Sequence, residues 1–176
     1  GFQRFETLTN DAAETAWYQH NALGQRIQKS TLGNGVTYFH YDEAGRLIAK
    51  TDAQGNTTDF VYVDDLRVAR YDGDTPYYFH NDHLGRPIAL TDQSKIIVWQ
   101  AEYLPFGEVK TLVNNTTDNE LGFPGQVLDG ESGFYYNYFR DYDPSTGRYI
   151  QADPLGILLE TNNPQRLLAA GAGCNS

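Results

Sequence analysis

Methionine is absent from the 176 residues, and cysteine occurs once, as Cys174. A lone cysteine excludes an intramolecular disulfide framework and leaves the redox compartment open. Basic residues are scarce as well: 13 Lys and Arg stand against 23 Asp and Glu, giving a net charge of −10 and a pI near 4.6. Holding nucleic acid by phosphate neutralisation needs a basic face, so a nucleic-acid-binding module is disfavoured. No apolar run approaches the ~18 residues of a membrane span, and Gly1-Phe2-Gln3-Arg4-Phe5 is not an apolar signal segment. A chain without methionine that opens in mid-pattern is expected to be a piece of a larger polypeptide.

What is abundant points to β structure. Aromatics make up 14% of the chain, led by 13 Tyr, and there are 17 Gly, a combination of strand formers and turn formers. One turn is written several times: Asn21-Ala22-Leu23-Gly24, Asp42-Glu43-Ala44-Gly45, Asp52-Ala53-Gln54-Gly55 and Asp82-His83-Leu84-Gly85. Asp or Asn first and Gly fourth is the chemistry of a hairpin tip: the side-chain oxygen accepts backbone N–H groups and Gly enters the left-handed region. Asp64-Asp65-Leu66-Arg67 falls where a further copy is due, without its Gly. The repeat is therefore degenerate, at about 20 residues. Between the tips, 36–41, 46–51, 57–63, 77–80 and 87–91 read as strands rich in Tyr, Val, Ile and Thr. Thr58 to Val63 alternates only loosely. The expected fold is all-β, built of antiparallel hairpins whose faces need neighbours to cover them.

Chemistry concentrates toward the C-terminal end. Asp141 and Asp153 are twelve residues apart across the turn Asp143-Pro144-Ser145-Thr146-Gly147. If their flanking segments pair, the two carboxylates can approach and share one proton, one activating a water while the other protonates a carbonyl. Asp143-Pro144 and Asp153-Pro154 also fit plain turn punctuation, and spacing does not separate the two readings. Other constellations are weaker. His80 and His83 lack the further ligands zinc requires. Cys174 has no nearby base, and Asn56-Thr57-Thr58 and Asn114-Asn115-Thr116 match the glycosylation triplet without a context for it. Residues 112–120 are expected to be the longest surface loop, and the tyrosines of 134–142 to pack in buried strands. No cofactor or metal is expected.

Tyr38-Phe39-His40-Tyr41-Asp42-Glu43-Ala44-Gly45-Arg46-Leu47 resembles the tyrosine-aspartate (YD) repeat of the RHS (rearrangement hot spot) family. His80-Asn81-Asp82-His83-Leu84-Gly85-Arg86-Pro87 through Glu108 resembles the start of the RHS-associated core. Gly122-Phe123-Pro124-Gly125-Gln126 onward, through Arg140-Asp141-Tyr142-Asp143-Pro144 to Asp153-Pro154-Leu155-Gly156, resembles its end. The resemblance divides the chain into YD repeats over 1–78, the core over 79–157 and a divergent, flexible tail over 158–176. It implies a section of a large hollow β shell, or cocoon, that encloses a toxin segment. The implied partners are the rest of the shell, that toxin segment and components of a bacterial secretion system, with no nucleic acid and no membrane span. The implied setting is bacterial, secreted or delivered.

The resemblance also assigns the candidate site: Asp141 and Asp153 as the dyad of a self-cleaving aspartic protease, and Arg140 as the electrostatic partner that keeps a carboxylate ionised. After Gly156 the chain departs from the family pattern, because no second Asp-Pro-x-Gly motif occurs in 157–176. A rival reading is a non-enzymatic repeat module whose tyrosine-rich surfaces bind carbohydrate or a partner protein.

Overall fold

One side chain, that of Asp42, organises a whole hairpin tip. Its Oδ1 accepts the Arg46 N–H at 2.9 Å, the Gly45 N–H bonds back to the Asp42 carbonyl at 3.0 Å, and the Asp42 N–H donates to the Arg46 carbonyl at 3.0 Å. Gly45 closes the tip at φ 82°, where an L side chain is strained. The same bonds recur at Asn21, Asp52 and Asp82. A further copy stands at Asp92, where Lys95 takes the glycine's place at φ 64°. A pattern keyed to Asp and Gly does not reveal that copy. At Asp64 the expected turn is replaced by a different one: Val63 pairs directly with Leu66, leaving a two-residue tip with Asp64 at φ 53°. Without a fourth-position Gly the chain uses a tighter connection.

The structure, a computed structural model, describes residues 7–9, 15–33 and 35–152. The first sheet contains β1 (Thr7–Thr9), β2 (Thr15–His20), β3 (Arg26–Thr31), β4 (Gly35–Tyr41), β5 (Leu47–Thr51) and β6 (Thr57–Val63). It continues with β7 (Leu66–Asp72), β8 (Thr75–Asn81), β9 (Pro87–Thr91), β10 (Ile97–Tyr103) and β11 (Val109–Val113). Each strand pairs antiparallel with the next, an eleven-stranded meander. A second sheet, again in sequential order, holds β12 (Val127–Asp129), β13 (Phe134–Asn137), β14 (Arg140–Asp143) and β15 (Arg148–Tyr149). The fold is thus all-β and antiparallel, and neither sheet closes on itself. The change of sheet falls between residues 113 and 127, inside the 79–157 segment.

The second sheet covers one face of the meander. Phe39, Leu47, Phe60, Phe79, Leu90, Trp99 and Ala101 point from the meander into a core completed by Leu121 and Val127. Fully burying one such side chain stabilises by roughly 1.5–3 kcal/mol. The loose pattern of Thr58 to Val63 has a simple cause. Phe60 and Tyr62 face inward while Val61 and Val63, equally apolar, face out and are exposed. Residues 112 and 113 belong to β11, so the expected loop starts later, and it is pinned to the meander. Arg70 donates to the Asp118 carbonyl and the Thr117 hydroxyl, and Lys50 pairs with Glu120 at 2.6 Å.

Candidate functional site

The β14–β15 hairpin forms around the turn seen in the sequence. Tyr142 pairs with Tyr149 and Asp143 with Arg148. Asp143 builds the tip: hydrogen bonds from the Ser145 hydroxyl at 2.6 Å and the Thr146 hydroxyl at 2.9 Å hold its carboxyl below the usual carboxylate range. Alternation along β14 then turns Asp141 toward the meander, where it is buried.

Asp141 is gripped from the far arm of its hairpin and from the other sheet. Its N–H donates to Gln151 Oε1 at 2.6 Å, and Gln151 Nε2 donates to Asp141 Oδ2 at 2.6 Å. The Ile150 N–H donates to the Asp141 carbonyl at 2.9 Å. From β3, the Arg26 Nη2 stands 3.8 Å from Asp141 Oδ1. Arg26 is buried with its guanidinium between the Tyr18 and Tyr136 rings, 4.3 and 4.0 Å from their centroids, and its Nη1 reaches Asp129 Oδ1 at 2.6 Å. Burial works against the Arg26 charge, but the Asp129 carboxylate outweighs it and holds the guanidinium above its ordinary value. Lys29 extends the cluster, 3.2 Å from Asp129 and 3.3 Å from Glu131. The Tyr18 hydroxyl donates to Glu131 at 2.8 Å, and burial pushes that hydroxyl's pKa up.

Of the residues singled out in the sequence, Asp141 is therefore fixed at the seam between the sheets. Arg140, its neighbour on β14, carries its guanidinium 3.8 Å above the Tyr149 ring. Asp153 lies outside the described residues, as do Cys174 and the 158–176 tail. The hairpin nonetheless brings Gln151, two residues before Asp153, onto the Asp141 carboxylate. His80 bonds the Thr91 hydroxyl at 3.0 Å across β8 and β9, as His40 bonds Thr51 at 3.1 Å across β4 and β5, two repeats earlier. Sequence reasoning missed Arg26, Asp129 and Gln151. Gln151 sits inside the motif that contains Asp153, whereas nothing local links Arg26 to carboxylates more than 100 residues away.

Comparison with known proteins agrees with this architecture. The RHS Repeat family model matches residues 41–77 and the RHS protein model matches 77–112. Double-stranded DNA deaminase toxin A of Burkholderia cenocepacia is 37% identical over 70 residues, 38% of this chain and 5% of that protein. The tRNA3(Ser)-specific nuclease WapA of Bacillus spizizenii is 30% identical over 143 residues, 79% of this chain and 6% of that protein. The chain thus spans only a small fraction of the length of these relatives. Among solved structures, the TcdB2-TccC3 crystal structure superposes with a TM-score of 0.64 at 19% identity, over 83% of this chain and 8% of that one. That likeness is one of fold. With both family models falling on the hairpin meander, the chain belongs to the RHS family.

Proposed function

We propose that this chain is a wall and end section of a bacterial toxin shell, and that Asp141 and Asp153 form an aspartic pair that cuts the shell polypeptide once, downstream of residue 153. The enclosed cargo is a toxin segment of the same polypeptide, delivered from the producing cell through a secretion system. The observation that carries the reading is the immobilised Asp141, a buried carboxylate gripped by Gln151 and facing a guanidinium at 3.8 Å. The toxin relatives and the shell-like fold support it.

The chemistry follows from the electrostatics. A nearby guanidinium and a donated amide hydrogen stabilise a charged carboxylate, so Asp141 is the ionised member and Asp153 carries the proton the pair shares. Asp141 takes a proton from water as the water oxygen bonds to the scissile carbonyl carbon, and Asp153 protonates the carbonyl oxygen. Collapse breaks the C–N bond as the leaving nitrogen takes the proton from Asp141 and a hydroxyl of the intermediate returns its proton to Asp153, leaving a carboxylic acid and an amine and restoring the pair. Arg140 supports the same charge from the adjacent position.

The test restores a family-type segment carrying Asp-Pro-x-Gly after residue 157 within the complete shell polypeptide and follows its size. The wild-type polypeptide is expected to split, while Asp141→Asn and Asp153→Asn stay whole with unchanged β circular dichroism. Equal splitting in both variants would overturn the aspartic site.

A further inference from the structure

Among the described residues, the buried arginines Arg26 and Arg70 and the half-buried Arg86 have carboxylate partners, and Arg67 does not. Arg26 meets Asp129 at 2.6 Å, Arg70 meets Asp72 at 2.9 Å and Arg86 meets Asp82 at 3.3 Å. Arg67, on β7, is buried to the same degree, yet among the described residues its Nη1 has no hydrogen-bond partner and no carboxylate lies within ion-pair distance. Its Nε donates to the Tyr62 hydroxyl at 3.3 Å, and its guanidinium otherwise meets only the rings of Phe60, Tyr62 and Phe79 at 5.6–5.9 Å. Taking a guanidinium out of water without a counter-charge costs several kcal/mol. The chain does not lack acids nearby. Asp65, two residues earlier, points fully into solvent beside Arg46 at 3.6 Å.

Arg67 lines a cavity of about 220 Å³ at the hairpin tips, closed on one side by the Pro124-Gly125 loop and by Tyr138 in the β13–β14 turn. Tyr41 lines it too, and the Tyr41 hydroxyl is buried with no hydrogen-bond partner in good geometry. The rest of the wall is largely apolar, with Leu47 and Val127 at its base, and its solvent-facing rim carries the Arg46–Asp65 pair. An unmatched cation and a buried hydroxyl, with the Tyr136 hydroxyl as its neighbour, in a small and largely apolar chamber define a complementary ligand: one carboxylate to accept from Arg67 and Tyr41, on a stem of a few apolar carbons.

We propose that this cavity binds a carboxylate on a short apolar stem, with Arg67 as its ion-pair partner. The same group is presented by a free arylalkyl or fatty carboxylic acid and by a glutamate side chain of a polypeptide. The site is separate from the Asp141 cluster and does not depend on the cleavage reading.

Calorimetric titration and ligand-detected saturation-transfer NMR on the complete protein test it, with two pairs of probes. The first pair is phenylacetate and its neutral isostere phenylacetamide. The second is acetyl-Leu-Glu-Leu-amide and its Gln counterpart. Saturable binding of phenylacetate identifies a free acid as the source, and saturable binding of the Glu peptide identifies a polypeptide. Either supports the site, provided the neutral counterpart binds at least about tenfold more weakly, the loss expected for one charge-assisted hydrogen bond. Arg67→Gln should weaken the preferred probe by a similar factor. Should that variant fold poorly, Ala44→Trp, at an exposed turn position on the rim, should keep the fold and block binding. Equal binding of acid and amide, binding that survives Ala44→Trp, or no binding of either acid would overturn the proposal.

Discussion

Asp82 accepts the N–H groups of Leu84 at 2.9 Å and Arg86 at 3.0 Å while its second oxygen stands 3.3 Å from the Arg86 guanidinium. Asn21 makes the same two backbone bonds with an amide oxygen, so the backbone cap is separable from the charge. Asp82→Asn should therefore lower stability to urea by less than about 1 kcal/mol, and Asp82→Ala by about 1–2 kcal/mol. The same caps set an acid limit. At Asp42 the Arg46 N–H and guanidinium, at Asp52 the Asn56 side chain, and at Asp143 the Ser145 hydroxyl hold the carboxyl below its usual value. A depressed folded value means a contribution that is complete above the unfolded value of about 3.9 and is lost as pH falls through the folded one. The urea midpoint should be flat from pH 7 to about 5 and fall below about pH 4; a midpoint that rises on acidification would contradict the capping account. Space is limiting at Gly147, where an added Cβ would stand 2.7 Å from the Phe106 ring at φ 69°. Gly147→Ala should lower the thermal midpoint, at a cost of about 1–3 kcal/mol.

The hairpins were legible because their determinants are local. An Asp or Asn and a Gly three residues on specify a tip, and the strands between follow. Where the rule is carried by other residues, as by Lys95, or replaced, as at Asp64, the sequence alone misassigns the turn. The seam between the two sheets was not legible, because it joins β3 to β12 and β14 through side chains separated by about a hundred residues of chain. It is also where a single change has most leverage. Arg26 and Asp129 side chains are each 3% exposed, so removing either leaves a buried charge with only a longer contact, Lys29 at 3.2 Å for Asp129 and Asp141 at 3.8 Å for Arg26. Arg26→Met is expected to cost about 3–5 kcal/mol, and combining it with Asp129→Leu should recover a large part of that loss. Chemical denaturation of the two single variants and the double variant measures both effects. Additive losses would show that the pair is not the coupled unit the geometry describes.

At the scale of the whole molecule, the low basic content disfavours a surface built to hold nucleic acid, and the structure adds what the acidic residues do. Many cap hairpin tips, and Asp129, Glu131 and Asp141 surround two cations at the seam. The pairing of Asp141 with Asp153 is the part of the candidate site that sequence resemblance alone supplies. Among the described residues, the Gln151 contact draws the second arm of the hairpin onto Asp141. A shared proton has a direct signature. In protein labelled with ¹³C at aspartate carboxyls, the Asp141 resonance should titrate in concert with a second carboxyl, and Asp153→Asn should shift its midpoint by more than about one pH unit and collapse two steps into one. An Asp141 titration curve that is unchanged by Asp153→Asn would contradict the aspartic pair.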